Sequence, residues 1–221
     1  QRHYLRAGVR SYVATPPGYD IEILDSDMKA VEIREARTAL GQEILRGAEL
    51  GVDYVNGRGG VLGGRKFKVV SEDDAGQVEK ALAGYRKLVG QDGVTAVIGQ
   101  VHSSNMIAVN NISAKLGVPV FSTQAAAGKI TSDHPVTAFR TAAIEEDRVV
   151  AWIGFFKQQG YKKIAMLGEN TDYGVGLTQG VADANRNDRL GLELKTYVLD
   201  KNVVDLTPQL LEIKNWNPDL V

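Results

Sequence analysis

Two adjacent serines stand where a predicted helix follows a buried strand, at a position where an anion could bind. The apolar run Val94–Ile98 predicts the strand, and the loop Gly99–Ser104 leads into the helix. The first turn of a helix has unpaired N–H groups and a partial positive charge, which suit a carboxylate. Ser103 and Ser104 add hydroxyl donors, and His102 lies beside them. The alternative is that one serine simply caps the helix.

A second loop opens onto the same rim, because it follows the next strand of the predicted parallel sheet. It is the small-residue stretch Phe121–Ala127, which contains Ala125 and Ala126. Tyr173 follows a later strand, where its ring could lie on a ligand while its hydroxyl bonds a polar group. The alternative for the loop is that it is only a small-residue turn beneath a helix. The alternative for Tyr173 is that its ring is half-buried and serves only in packing.

No metal or catalytic motif is recognisable. The sequence has three scattered histidines and no cysteine, so no zinc set is expected. The pair Asp73-Asp74 lacks the regular loop of oxygen ligands that binds calcium. Ile130 follows Gly128-Lys129 where a phosphate loop needs Ser or Thr, and no Gly-x-Ser-x-Gly nucleophile turn occurs. We therefore predict a site that holds a ligand unchanged, without a metal, a cofactor or a catalytic group.

The elements that must position these residues predict an α/β fold. From about residue 38, short apolar runs alternate with stretches of helical periodicity. Such alternation favours parallel sheets with helices on both faces, and the handedness of crossovers gives a doubly wound layout. The predicted strands are Phe67–Ser71, Val94–Ile98, Val118–Phe121, Val136–Arg140, Lys163–Leu167, Glu193–Val198 and Pro218–Val221. The predicted helices are Thr38–Asn56, Val78–Val89, Ser104–Leu116, Glu145–Gln159, Gly176–Asn185 and Leu206–Asn215.

The bulk composition limits the possible partners. With 26 basic and 27 acidic side chains the net charge is −1, so no electrostatic attraction to nucleic acid or anionic lipid is expected. No apolar run approaches the ~18 residues of a membrane span. No basic-then-apolar leader opens the sequence, and we expect any signal peptide to have been removed.

Eight stretches between Ala39 and Val221 occur in the order found in the leucine/isoleucine/valine-binding family of periplasmic receptors. Each stretch alone is weak, but eight in order are specific. They are Ala39–Leu50, Val55–Gly60, Glu72–Asp74, Val97–Ser104, Leu116–Ser122, Phe139–Thr141, Asp172–Gly176 and Asn217–Val221. The chain thus resembles a type I periplasmic solute-binding protein.

The resemblance implies two α/β lobes that face each other across a cleft, with the ligand between the carboxyl ends of the strands. It implies a first lobe at 38–138, an interlobe crossing at 139–142 and a second lobe at 143–221. Residues 1–37 form an atypical segment that could combine a first strand with an insertion. Family members complete the second lobe with further strands and helices, so we expect the second lobe of this chain to be incomplete.

The resemblance also assigns roles to the two loops. It places a ligand carboxylate at Ser103 and Ser104, and a ligand ammonium group at the backbone near Ala125. Family members often offer a threonine hydroxyl at the next position, where this sequence has Ala126. We therefore expect either that Thr123 replaces it or that the ligand lacks an α-ammonium group.

The implied function is that of the substrate-binding component of an ABC transporter. Tyr173 would cover the ligand from the second lobe, and His102 lies among the ligand-binding residues. The ligand would be a branched-chain amino acid, or an aromatic or aliphatic carboxylate or amide. Hinge closure would present it to a membrane permease, in a periplasmic or extracellular location. The alternative is a ligand-binding sensor domain of a signalling or amide-responsive receptor with the same fold, and an α/β enzyme is a third.

Overall fold

Seven helices and five strands make up the part of the chain that the structure describes. The computed structural model describes residues 39–133, 136–200 and 202–221. Its helices are α1 (Ala39–Gly57), α2 (Val78–Gly90), α3 (Ser103–Leu116), α4 (Lys129–Ser132), α5 (Glu145–Gln159), α6 (Asp172–Asn187) and α7 (Thr207–Trp216). Its strands are β1 (Val97–Gly99), β2 (Val120–Ser122), β3 (Ala138–Arg140), β4 (Lys163–Glu169) and β5 (Glu193–Leu199).

The strands form two parallel sheets. In the first sheet the order is β1-β2-β3, and β2 has Val120 opposite both Val97 and Ala138. In the second sheet β4 pairs with β5, from Lys163 opposite Glu193 onward. Helices α3 and α6 supply the crossovers that parallel neighbours require. The predicted α/β fold with parallel sheets is therefore confirmed.

Each sheet has a hydrophobic cluster of its own. The first cluster packs helices α2 and α3 against β1 and β2, and its fully buried side chains are Met106, Val109, Val120 and Ile130. The second packs α5 and α6 against β4, and its most deeply buried side chains are Val181 and Ile164. Apolar faces at helical spacing create both clusters, because each face must be removed from water.

The predicted strand Phe67–Ser71 is wrong. No described strand pairs with this stretch, and the side-chain amide of Asn56 binds the backbone N–H and C=O of Phe67 instead, at 2.8 and 2.9 Å. Phe67 is 47% exposed. An apolar run becomes a strand only where a partner accepts its backbone hydrogen bonds, and local sequence does not contain that information.

Other strands are shorter than predicted because competing hydrogen bonds end them. The N–H of Val94 donates to Leu88 at the end of α2, at 3.1 Å, so β1 begins only at Val97. The carboxylate of Asp219 accepts from the N–H groups of Lys162 and Lys163, both at 2.8 Å. The predicted strand Pro218–Val221 is thereby reduced to one parallel bridge, Leu220 to Ile164.

Helix α6 begins four residues earlier than predicted. The helix was predicted from Gly176, but Thr171 is a good N-cap and its hydroxyl accepts from the N–H of Gly174 at 3.2 Å. Tyr173 consequently lies in the first turn of a helix. Residues 1–38 and His134 lie outside the described residues, and the lobe limits 38–138, 139–142 and 143–221 stay predictions.

Candidate functional site

The first turn of α3 lies against the loop that follows β2. Ser103 is buried, and its Oγ accepts hydrogen bonds from the backbone N–H groups of Ala126 and Ala127, at 3.3 and 3.2 Å. The N-cap of α3 is His102, which has an extended backbone, and no side chain caps the helix. Neither serine is therefore the N-cap, and Ser103 fastens the loop after β2 to the helix.

The loop after β2 is held by several other donors. The hydroxyl of Ser122 donates to the carbonyl oxygen of Ala125 at 2.9 Å. The carbonyl oxygen of Ala126 accepts from the N–H of Glu145 at 3.1 Å and from Nη1 of Arg140 at 2.9 Å. Ala125 and Ala126 are both buried. The predicted ammonium-binding backbone is thus a buried loop whose two carbonyl groups already accept hydrogen bonds from the protein.

The guanidinium of Arg140 holds the same loop through several hydrogen bonds. Its Nη1 donates also to the carbonyl oxygen of Ala127 at 3.0 Å, and its Nη2 donates to the hydroxyl of Thr131. Burial lowers the pKa of Arg140, although the nearby carboxylates of α5 oppose the shift. The guanidinium stays charged at neutral pH because its ordinary pKa is far higher. Arg140 is therefore a positioning residue for the loop.

Two buried side-chain oxygens at the carboxyl ends of β1 and β2 have no hydrogen-bond partner among the described residues. Gln100 follows β1 and Thr123 follows β2. Gln100 Oε1 and Thr123 Oγ1 are buried, and no described residue forms a hydrogen bond with either atom. Buried polar atoms are normally satisfied, so an unpaired pair on adjacent strands marks a place for a ligand or ordered water. Sequence reasoning considered Thr123 and missed Gln100, whose only signal was its place after a strand.

A cavity of about 1170 Å³ opens between the loop after β2 and helices α5 and α6. Ser104 lies in its wall, and the Oγ of Ser104 accepts from the N–H of Asp172 at 3.3 Å. This hydrogen bond joins the first turns of α3 and α6. Among the described wall residues, Ser104 is the only one of the six predicted ligand-binding residues. The structure thus brings Ser103, Ala125 and Ala126 together, but none of the three lines the cavity.

Tyr173 lies on the second hydrophobic cluster, with Arg148 beside it. The hydroxyl of Tyr173 accepts from Nη1 of Arg148 at 2.7 Å, and the guanidinium carbon lies 5.5 Å from the ring centroid. The ring is partly buried against the second cluster. The ring of Tyr173 thus packs on the cluster while its hydroxyl oxygen accepts a hydrogen bond from Arg148. The hydroxyl hydrogen can still be donated to another acceptor.

Glu145 is a buried acid in the cavity wall that sequence reasoning did not single out. Its side chain is 7% exposed, and no described residue donates a hydrogen bond to its Oε1. Burial raises its pKa to about 7; Glu146 and Asp172 add to the rise, and Arg140 and Arg148 oppose it. In the sequence, Glu145, Glu146 and Asp147 look alike as favourable charges at a helix start. Only the packing distinguishes the first of them.

Neither a metal-binding group of side chains nor a membrane-spanning helix occurs among the described residues. No group of three or more His, Asp or Glu side chains there could hold a metal ion. No helix in 39–133, 136–200 or 202–221 combines the length and the apolar character needed to cross a membrane.

Comparison with known proteins identifies the family. A family model described as periplasmic binding protein matches residues 36–221. The Leu/Ile/Val-binding protein homolog 8 of Brucella abortus (strain 2308) is 30% identical over 191 residues, which are 82% of this chain and 47% of that protein. The Leu/Ile/Val-binding protein BraC3 of Rhizobium johnstonii is 33% identical over 142 residues, 63% of this chain and 38% of that protein.

Solved structures agree in fold. The leucine-binding protein LivK of Thermotoga maritima superposes with a TM-score of 0.74 at 22% identity, covering 82% of this chain and 51% of that one. A solute-binding protein of an ABC transporter from R. palustris, in complex with benzoate, superposes with a TM-score of 0.71 at 28% identity, covering 82% and 50%. This chain therefore spans about half the length of the relatives that it matches.

The family consists of solute-binding proteins, which hold ligands without converting them, and its name implies an extracytoplasmic location. The family match over 36–221, the order of the matching motifs and the two parallel sheets agree with one another. The chain belongs to the type I periplasmic binding protein family, in the group that includes the branched-chain amino acid receptors.

Proposed function

We propose that this chain is the ligand-binding part of an extracytoplasmic receptor for an ABC transporter. The observation that carries the proposal is a pair of buried oxygens after adjacent parallel strands, Gln100 Oε1 and Thr123 Oγ1, for which the described part of the chain offers no hydrogen-bond partner. In open α/β sheets, ligands bind outside the carboxyl ends of the strands. A bound small molecule would supply the hydrogen bonds that these two groups lack.

The ligand's acid group is proposed to bind at the start of α3. The first turn of a helix offers N–H groups to an anion, Ser104 in the first turn of α3 lines the cavity, and His102 is the N-cap residue of the same helix. Ser103 contributes by fixing the loop of Ala125 and Ala126, rather than by lining the cavity. Because Ala126 carries no hydroxyl, Thr123 is the side chain that replaces the family's threonine.

The ligand class is proposed from the relatives. The R. palustris protein binds benzoate, and a substrate-binding protein of Desulfitobacterium hafniense, 25% identical with a TM-score of 0.63, binds leucine. Both ligands are small carboxylates that carry an apolar group. We propose the same class for this chain, that is, a small amino acid or an aromatic or aliphatic carboxylate.

Closure of the two halves is proposed to complete the site. The bond between the N–H of Asp172 and Ser104 Oγ already joins them, and Tyr173 lies one residue further along α6. A hinge motion that brings Tyr173 over the ligand would give the closed surface that a membrane permease recognises.

Thermal unfolding with a ligand panel tests the proposal. Leucine, benzoate, 4-hydroxybenzoate and short aliphatic amides would each be added to the full-length protein. A ligand at 100 times its dissociation constant stabilises by about 2.7 kcal/mol, which raises the midpoint by roughly 5–10 °C in a protein of this size. A flat response to the whole panel would contradict the proposed function.

A matched pair of variants locates the site. Thr123→Val removes the unpartnered hydroxyl with little change of shape, and Thr196→Val makes the same change at an exposed position of β5. We expect Thr123→Val to reduce the ligand-induced shift and Thr196→Val to leave it intact. Equal shifts in both variants would place the ligand elsewhere.

A further inference from the structure

A short hairpin at 58–68 follows helix α1. Two backbone hydrogen bonds close it, because the N–H groups of Val61 and Arg65 each donate to the other residue's carbonyl oxygen at 2.8 Å. The side-chain amide of Asn56, in α1, holds the backbone of Phe67 at its end. A side chain at Gly60 would collide with the carbonyl oxygen of Arg65, so glycine is required there. This segment, named the basic hairpin below, therefore has a defined shape that is fixed to α1.

The basic hairpin differs in charge from the chain as a whole. It contains Arg58, Arg65, Lys66 and Lys68 and no acidic residue, whereas the net charge of the chain is −1. All four residues are exposed, and none of them forms an ion pair with another described residue. The net charge predicts no attraction to anionic lipid, but a surface responds to the charges within a Debye length of about 8 Å. The local charge reverses that expectation.

Leu62 lies at the tip of the basic hairpin and is unfavourable there for the folded chain on two counts. Its side chain is 85% exposed to water. Its φ is +46°, in the left-handed region that glycine and asparagine adopt more readily than leucine. A residue that neither packs nor suits its backbone contributes little to folding. Such residues are found where a protein contacts another molecule.

An apolar tip with basic residues on both sides fits the surface of a membrane that contains anionic lipid. Apolar side chains enter the boundary between headgroups and acyl chains, while Lys and Arg contact the anionic headgroups. Phe67 and Val70, next to the basic residues, are also exposed and add apolar surface. An acidic protein would match the charge but would need a pocket for Leu62, whereas a membrane has its apolar layer directly beneath its charges.

We propose that the basic hairpin binds the surface of a membrane containing anionic phospholipid, with Leu62 in the headgroup boundary and the four basic side chains on lipid phosphates. The inference goes beyond the proposed function, because no residue of the hairpin lines the described cavity. Each basic side chain near an anionic surface strengthens binding about fivefold. The contact is reversible and keeps the protein close to the membrane.

Co-sedimentation of the full-length protein with lipid vesicles tests the proposal. One set of vesicles contains phosphatidylcholine alone, and the other contains phosphatidylcholine and phosphatidylglycerol in about equal amounts. We expect the protein to bind the anionic vesicles at least about 20-fold more tightly than the neutral ones. Raising the salt from about 0.1 M to about 0.5 M should weaken this binding about 10-fold, because salt screens exposed charges.

A matched pair of double variants locates the charges. Lys66→Gln/Lys68→Gln removes two charges from the basic hairpin, and we expect it to bind the anionic vesicles about 25-fold more weakly than the wild type. Lys80→Gln/Lys115→Gln makes the same change at two exposed positions in α2 and α3. The control should bind within about twofold of the wild type.

A single variant separates a membrane contact of Leu62 from a structural role. Leu62→Asn replaces the apolar side chain with one that tolerates a positive φ, so we expect an unchanged or higher thermal midpoint together with about 10-fold weaker vesicle binding. Val204→Asn is the control, because Val204 is 97% exposed in the loop after β5. It should leave the binding unchanged.

The outcomes decide the proposal without reference to the ligand site. It is overturned if neither kind of vesicle binds the protein, if both bind it equally, or if Lys66→Gln/Lys68→Gln binds like its control. Full binding by Leu62→Asn would overturn the insertion of Leu62. The proposed function is tested separately by the ligand panel, so either claim can fail while the other stands.

Discussion

Ser103 and Ser104 are neighbours in sequence with different surroundings. Ser103 is buried, and its hydroxyl accepts hydrogen bonds from two backbone N–H groups of the loop after β2. Ser104 lies in the cavity wall, and its hydroxyl accepts one hydrogen bond, from the N–H of Asp172. Because a helix turns by about 100° per residue, consecutive side chains point in different directions. We therefore propose that the first serine builds the site and that the second contacts what enters it.

Alanine substitutions should separate these roles. Ser103→Ala leaves two buried N–H groups without an acceptor, so we expect the free energy of unfolding to fall by about 1–3 kcal/mol without any ligand. Ser104→Ala should cost under about 1 kcal/mol, since water can replace its hydroxyl. Urea unfolding of both variants measures the difference, and equal losses would contradict the assignment.

Glu145 should make stability depend on pH. Its pKa is raised from 4.5 to about 7, first by burial, then by Glu146 and Asp172, against Arg140 and Arg148. Between these values the folded chain holds a proton that the unfolded chain has lost. The free energy of unfolding should therefore fall as pH rises from about 4.5 to about 7, by at most about 3 kcal/mol.

The variant Glu145→Gln isolates this contribution, because it removes the proton that titrates and leaves the other carboxylates in place. Urea unfolding at several pH values between about 5 and 8 gives both curves. We expect the wild type to lose stability relative to the variant as pH rises, and parallel curves would show that Glu145 titrates normally.

At the scale of elements, α6 lies unusually close to the end of β4. A side chain at Gly174 would fall 2.6 Å from the backbone nitrogen of Glu169, and one at Gly168 would fall 3.0 Å from the carbonyl oxygen of Gly174. Glycine at these positions lets the strand and the helix start approach each other. That approach places Asp172 where it can reach Ser104.

Gly174→Ala should disturb this approach, because its methyl group meets backbone rather than a mobile side chain. We expect a loss of about 1–3 kcal/mol in the free energy of unfolding. Gly154→Ala is the matched control, since Gly154 is exposed within α5 and has open space around it. Alanine there should stabilise by up to about 1 kcal/mol, and a gain at Gly174 as well would refute the close approach.

At the scale of the whole molecule, two hydrophobic clusters are joined by few interactions. The first contains Val109 and the second contains Val181, both fully buried. The described links between the halves include Ser104 with Asp172 and Ala126 with Glu145. Two cores with sparse links are suited to hinge motion, because each core stays rigid while the links rearrange.

Val109→Ala and Val181→Ala should each loosen one cluster. Removing two buried methyl groups costs about 1–3 kcal/mol in either place. Hydrogen exchange followed by mass spectrometry should show faster exchange in α2, α3 and β2 for Val109→Ala, and in α6, β4 and β5 for Val181→Ala. Faster exchange throughout both halves in each variant would mean that the two clusters unfold as one unit.

The sequence by itself determined the α/β class, the parallel sheets and most element positions. Helix α5 was predicted at its observed limits, Glu145–Gln159, and α2 was predicted within one residue. These features are local, because periodicity and breaking residues act over one or two turns. The ordered motifs added the family, and they also predicted candidate ligand-binding residues at the start of α3, in the loop after β2 and after β4.

Only the tertiary structure decided which residues face the cavity. Three acidic residues begin α5, and packing against α6 buries Glu145 and leaves the next two exposed. Phe67–Ser71 has the composition of a strand, yet no described strand pairs with it. Burial of a side chain and pairing of a strand depend on partners that are distant in sequence. Sequence patterns therefore indicate which residues are candidates for a site or a strand, and the tertiary contacts determine which candidates are used.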